Sequence, residues 1–295
     1  MKRPAEPAPA ESDPPERPGR LGRLGRLQRT ERPGRLGRTE RPGPSGRPRI
    51  ARELLLVAGF FLVYKLGRHL ATGNTAEAFR NARRVWDGER ALGLPAENAV
   101  QSLLLHGDTP VRAANTFYAT VHFPATVLFL AWLYWRRPAH YLWARRVLAA
   151  LTAAALVLHL AFPLAPPRML AWTGMIDTGA AHGPSVYGPP ATDQLSNQFA
   201  AMPSLHFGWA LMVAVGLIAA TRTRWRPLWL LHPLLTLLVI VGTANHYWLD
   251  AVVAAALLGL ALAVLRAPRR TAGPVAAVPG ARRAAERPPL VGAGR

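Results

Sequence analysis

The feature that most restricts this chain is a set of apolar runs of roughly 18–24 residues, long enough to cross a bilayer as helix. A soluble domain of this size would spread its apolar residues among polar ones at helical or strand period. Here half of the 295 residues are hydrophobic, and they gather into blocks. Six spans are expected, at about 52–70, 113–135, 143–163, 202–221, 227–244 and 247–265. The expected fold class is therefore all-α, a polytopic membrane protein with a six-transmembrane-helix bundle over residues 51–266. Between the first two spans, residues 74–106 mix charges with periodic Ala, Val, Trp and Leu, the pattern of an amphipathic helix lying at the surface.

The remaining segments are tails. Over residues 1–50, arginine recurs at every third position from Arg20 to Arg41, and TERPG occurs at 30–34 and again at 39–43. So much Pro, Gly and Arg with so few large apolar residues cannot bury a core, and disorder is expected there and over 267–295. No apolar region follows the first charges closely enough for a signal peptide. Of the formal net charge of +20, residues 1–52 hold +8 and residues 266–295 hold +6. Beside a membrane-embedded body, the expected counter-charge is anionic lipid headgroup, not nucleic acid. There is no cysteine, which excludes disulfides and thiolate metal sites.

Charge between the spans sets the orientation. The 136–146 connection carries Arg136, Arg137, Arg145 and Arg146 without an acid, and the 222–226 connection carries Arg222, Arg224 and Arg226 without one. With both tails basic as well, every second connection falls on the positive, cytoplasmic side of the cell membrane. The 71–112 and 164–201 connections and the turn before His246 then face outward.

On that outward side lie ionisable residues at the ends of spans. AAMPSLHFGWALMV (200–213) opens the fourth span, and Pro203 suits a first helical turn because its missing N–H would be unpaired there. Ser204 and His206 are then in the opening turn, beside free backbone N–H groups that attract phosphate. In GTANHYWLDAVVAAALLGLALAVL (242–265), His246 and Asp250 are four apart, which predicts one helix face. Asp250 is the only acid between Asp193 and Glu286, and a carboxylate at that depth is kept for a partner or a function. Arg168, in PLAPPRML (163–170), is the only Lys or Arg between Arg146 and Arg222, and suits a phosphate or phosphodiester.

Together, PLAPPR at 163–168, MPSLH at 202–206 and HYWLD at 246–250 resemble the type 2 phosphatidic acid phosphatase superfamily of lipid phosphatases and phosphotransferases. They look most like its inositol phosphorylceramide synthase-like, inositolphosphotransferase branch. The resemblance covers roughly residues 50–265. It implies that His246 is the nucleophile taking the phosphoryl group and that Asp250 orients its imidazole. It also implies that His206 protonates the leaving oxygen, that Ser204 contacts the phosphate, and that neither metal nor cofactor is needed. Two cations of the phosphatase pattern are missing, since their positions are Ala161 and Ile240. The synthase-like branch shares these departures. One arginine suits a phosphodiester, which carries less charge than a phosphomonoester.

Simpler readings stand beside these. His246 and Asp250 serve equally as polar glue between spans, Ser204 as a helix cap, and Arg168 as a snorkelling anchor. His122 and His159, inside spans without motif context, read as packing or inter-helix hydrogen bonding. His106, His140, His182 and His232 read as loop or interface residues. The alternative function class is a non-catalytic membrane transporter or anion- or lipid-binding protein, which would need repeats or broken helices that the sequence does not display. The expected substrate is a phospholipid or polyprenyl phosphate; donor, acceptor and the choice between transfer and hydrolysis stay open. A reporter fused after Gly183 is expected outside the cell, and one fused within 222–226 in the cytoplasm. The reverse labelling would put the site on the other side of the membrane.

Overall fold

The computed structural model describes residues 48, 50–70, 75–186 and 198–268. The expected disordered tails fall almost wholly outside the described residues. Among those described, the chain is helical throughout, and its single bridge joins Leu164 to Ala200. The helices are α1 (Ile50–Leu70), α2 (Thr75–Ala91), α3 (Glu97–Leu104), α4 (Asp108–Thr120) and α5 (His122–Arg136). They continue with α6 (Pro138–Ala161), α7 (Thr178–His182), α8 (Leu205–Ala220), α9 (Leu231–Gly242) and α10 (Trp248–Val264).

Each of the six apolar runs is helical, but their lengths differ from the sequence pattern. Among the described residues, only α6, with 24 residues, is by itself long and apolar enough to cross a bilayer. The run at 113–135 is two helices, α4 and α5, bent by 46° and together a second candidate span. Pro124 accounts for the bend: it has no N–H for the Thr120 carbonyl, and its ring excludes that carbonyl from helical position. The last three helices have 16, 12 and 17 residues. At about 1.5 Å per residue they span roughly 18–26 Å, short of the ~30 Å hydrocarbon layer. The six-span count therefore rests on the sequence pattern, and helix length supports one or two.

The amphipathic segment 74–106 is also two helices. Along α2 the buried face is Ala78, Asn81, Ala82, Val85 and Glu89, a single helical stripe. Gly93, at φ 68°, ends that helix. Its N–H reaches the Arg90 carbonyl and that of Leu94 reaches Glu89, satisfying the final turn through a left-handed cap. The end of α9 uses the same motif with Ala244 at φ 55°, a non-glycine residue held in the left-handed region two positions before His246.

Helix α8 occupies the middle, packed against α5, α6, α9 and α10. Its Gly208, Ala210, Ala214 and Gly216 are small enough to let neighbouring helices approach. The core on one side comprises Phe129, Leu133, Val147, Leu151, Met212 and Leu258. Outer faces stay apolar, with Leu55, Leu128, Val157, Leu235 and Leu260 all exposed. Helix α1 docks on α6 through a polar clasp, in which buried Glu53 accepts from the Tyr141 hydroxyl at 2.6 Å and pairs with Arg145.

The bundle has two chemically distinct ends. At one, the Trp143 indole donates to the Leu265 carbonyl at 2.7 Å, tying the arginine-bearing start of α6 to the end of α10. At the other, the His159 ring nitrogen lies 3.2 Å from the Pro203 carbonyl, tying the end of α6 to the segment before α8. Packing around Gly216 holds the middle. A Cβ built there would lie 2.3 Å from the Phe129 ring, which is itself buried. Gly216→Ala is expected to destabilise by about 1–3 kcal/mol through overpacking. Gly259→Ala on α10, where a Cβ would meet nothing within 4 Å, should not. Thermal unfolding of both variants in detergent checks this, and equal melting temperatures would refute the close packing.

Candidate active site

Three chain segments converge at the end of the bundle opposite the 136–146 and 222–226 connections, held by backbone more than by side chains. The Leu164 N–H donates to the Phe199 carbonyl at 2.7 Å, and that of Arg168 to Ala244 at 2.9 Å. The Tyr247 hydroxyl donates to the Ala165 carbonyl at 2.8 Å. The Ser204 N–H donates to the Asp250 carbonyl at 3.1 Å. These bonds bring PLAPPR, MPSLH and HYWLD together from 163–168, 202–206 and 246–250.

His246 is buried, and its Nδ1 lies 2.9 Å from the Ala201 carbonyl and 3.0 Å from Asp250 Oδ2. Both neighbours are acceptors, so Nδ1 carries a proton, and in the neutral form of the ring the lone pair is at Nε2. The expected geometry of this pair needs correction. Helix α10 starts at Trp248 with Tyr247 as its N-cap, so His246 lies in the turn before the helix, not on its face. The contact survives because Asp250 folds back as a capping residue, its Oδ2 accepting the Tyr247 N–H at 3.0 Å as well. Four-residue spacing gave the right pair by the wrong geometry.

Pro203 is also displaced from the expected first turn. Ser204 is the N-cap of α8, and Pro203 precedes it. The Ser204 hydroxyl, fully buried, accepts the Phe207 N–H at 3.4 Å. The capping reading of Ser204 thus holds. His206, in the first turn of α8, stacks on Tyr118 with ring centroids 4.3 Å apart. Its other neighbours are His122 at 4.5 Å and His246 at 6.2 Å between ring centres. The rings of His206 and His246 are tilted by 56° to one another and do not stack.

Arg168 is not a snorkelling anchor. Its side chain is only 3 % exposed, and its Nε pairs with Asp177 Oδ2 at 3.2 Å. Its Nη2 donates to Gln198 Oε1 at 3.2 Å. Residues Pro166–Met169 turn it inward, and the bond from its N–H to Ala244 puts it beside the segment that leads to His246. No cluster able to hold a metal occurs among the described residues.

Several neighbours of the site carry no motif. His122 packs between helices as read from the sequence, and its partner in that packing is the His206 ring, beside a small cavity shared with Tyr118, Thr236 and Ile240. Two carboxyl groups, Glu89 and Glu97, are fully buried behind Asp250. Glu89 Oε1 accepts the Leu249 N–H at 2.7 Å, one residue before Asp250. One signal was available for Glu89: it extends the stripe Ala78, Ala82, Val85 that α2 buries, a carboxylate where that spacing calls for an apolar residue.

The site is thus a buried histidine–aspartate pair with a second histidine nearby, at one end of a bundle of apolar helices. Residues 83–264 match the PAP2 superfamily, and the chain belongs to that superfamily. No curated protein and no solved structure matches the chain.

The clasp from Tyr247 to Ala165 generates a test. Tyr247→Phe keeps the fully buried ring but strands the Ala165 carbonyl, also buried, without that donor. A loss of about 1–3 kcal/mol is expected in denaturant unfolding. Unchanged stability would show that this bond does not hold the first and third segments together.

Proposed function

We propose that this protein is an integral membrane phosphotransferase that moves a phosphoryl group or phospho-headgroup from a lipid through a phosphohistidine intermediate. The observation carrying this reading is the His246 tautomer: Nδ1–H held by Asp250 and Ala201, with Nε2 left as a nucleophile. Nε2 bonds to phosphorus as the bond to the lipid's leaving oxygen breaks, and His206 gives that oxygen a proton. In the second half an acceptor hydroxyl, or water, gives its proton to His206 and bonds to phosphorus as the N–P bond breaks. Asp250 stabilises the positive charge that His246 gains in the first half and loses in the second.

Membrane placement is supported by the exposed apolar residues of α1, α5, α6, α9 and α10, since soluble monomers rarely leave large apolar patches uncovered. In the multi-pass arrangement, both termini are cytoplasmic and the site is extracytoplasmic, with basic tails against anionic headgroups. The helix-end geometry supports one feature of it, since the site and the arginine-rich connections fall at opposite ends. Among substrates, a phosphodiester such as an inositol phospholipid is favoured. Arg168 is already paired with Asp177, and the two further cations of the phosphatase pattern are Ala161 and Ile240. A phosphomonoester dianion would need more positive charge than that.

The test is covalent trapping on purified protein with a radiolabelled short-chain phospholipid. Wild type should yield an acid-labile phosphoprotein, and His246→Ala should yield none and lose nearly all turnover. His206→Ala should turn over about 10²–10⁴-fold more slowly, the usual loss with a general acid. Full activity in His246→Ala would end the phosphohistidine reading.

A further inference from the structure

Behind Asp250 the structure holds a second acidic centre that the reaction above does not use. Glu89 on α2 and Glu97 on α3 are both without exposed surface, and their carboxyl groups are hydrogen-bonding neighbours. One oxygen of each is already satisfied. Glu89 Oε1 accepts the Leu249 N–H, and Glu97 Oε2 accepts from Arg90 Nη2 at 2.6 Å. The remaining oxygens, Glu89 Oε2 and Glu97 Oε1, are buried without a hydrogen bond from the protein, although Arg90 Nη2 stands 3.9 Å from Glu89 Oε2, beyond hydrogen-bonding distance. Two carboxylates cannot satisfy each other, but a carboxylic acid and a carboxylate can: one proton on Glu89 Oε2, donated to Glu97 Oε1, pairs both atoms.

We propose that Glu89, kept as the neutral acid by Glu97, is a positioning residue for the phosphohistidine chemistry, acting through the first turn of α10. The proposal rests on the function given above. As an acid, Glu89 fixes the Leu249 N–H with its carbonyl oxygen, and thereby the turn from which Asp250 reaches His246. It also keeps a further negative charge away from Asp250, whose own carboxylate must respond to charge on His246 alone.

The groups facing Glu89 are Arg90 from its own helix, Glu97 from α3, Tyr247 from the turn before α10, and Asp250 from α10. Burial pushes the Glu89 carboxyl up to about 9, and the Glu97 and Asp250 charges push in the same direction, while the Leu249 N–H opposes them. An acid whose folded value is raised contributes stability below its ordinary range and loses it as pH climbs toward the folded value. For Glu89 that loss runs from its ordinary 4.5 to about 9.

The test compares Glu89→Ala, Glu89→Gln and wild type as full chains in lipid nanodiscs, with dioctanoyl phosphatidylinositol and dioctanoyl phosphatidic acid as probes. Glutamine is an uncharged copy of the acid: its oxygen can accept from Leu249 and its amide can donate to Glu97. Glu89→Ala should lower kcat about 10- to 100-fold, as loss of a partner that orients a reacting side chain commonly does, with KM little changed. Glu89→Gln should restore kcat at neutral pH and carry activity further into alkali than wild type. Independently of activity, the melting temperature of wild type should fall between pH 6 and pH 10 more than that of Glu89→Gln.

Wild-type kcat in Glu89→Ala, or equal losses in both variants with an unshifted alkaline limb, would overturn the positioning role. Where Glu89→Ala does not fold, the Glu89→Gln pH profile and melting series decide alone, and identical curves to wild type overturn the role. Absence of a His246-dependent phosphoprotein in wild type is a different failure. It sinks the reaction, while the melting series still reports whether Glu89 holds the proton.

Discussion

Asp250 has no exposed surface, and burying a carboxylate is costly unless it is paired; Oδ1 has no hydrogen-bond partner in the protein, so the pairing falls on Oδ2. Its Oδ2 takes the Nδ1–H of His246 and the N–H of Tyr247, and its backbone carbonyl takes the N–H of Ser204. That one residue thus organises three things: the tautomer of His246, the start of α10, and the approach of the segment that begins α8. Ala201, three residues before Ser204, adds its carbonyl to the same His246 nitrogen. The protonation of Nδ1, on which the proposed use of Nε2 depends, is a consequence of pairing a buried carboxylate oxygen.

The site lies at helix ends because only there does a helical protein have backbone groups to spare. The short α8, α9 and α10 follow from the same requirement. Each stops early enough to leave a non-helical stretch for the polar contacts: residues 198–204 before α8, and Thr243–Tyr247 between α9 and α10. Ala244 is held at positive φ, a cost of about 1–2 kcal/mol for a residue with a Cβ. The turn it makes directs its carbonyl to the Arg168 N–H and turns the chain toward His246. Strain of this kind persists where the surroundings over-determine the backbone.

Much of this was legible in the sequence, for identifiable reasons. The positions of the apolar helices follow from run length, and the pairing of His246 with Asp250 follows from one acid placed in an apolar context. The bend at Val121 was marked by Pro124, which a hydropathy pattern averages away. Pro203 and His246 were misplaced by one or two residues because N-cap position depends on which side chain folds back, and spacing does not show that. Arg168 was recognised as unusual, but its pairing with Asp177 depends on a loop that has no period to read. Glu89 and Glu97 were missed outright. They were read as part of an exposed amphipathic surface, and only the bond from Leu249 reveals that α2 turns its one buried carboxylate toward α10.

The two missing cations have a structural counterpart. Ile240, where the phosphatase pattern has an arginine, is fully buried, and its carbonyl takes the N–H groups of Asn245 and His246. Its side chain packs with Ala114, Tyr118, Val239 and Val241, and lines the same cavity as His122 and His206. A guanidinium there would be buried among apolar groups with no acid among them. What adjoins His206 instead is Tyr118, stacked on its ring, and His122, tilted against it. Aromatic rings, not a permanent positive charge, cover His206 here. On the proposed reaction, a substrate of lower charge is the one such an arrangement accepts, because a dianion entering there would lose hydration with no cation to replace it.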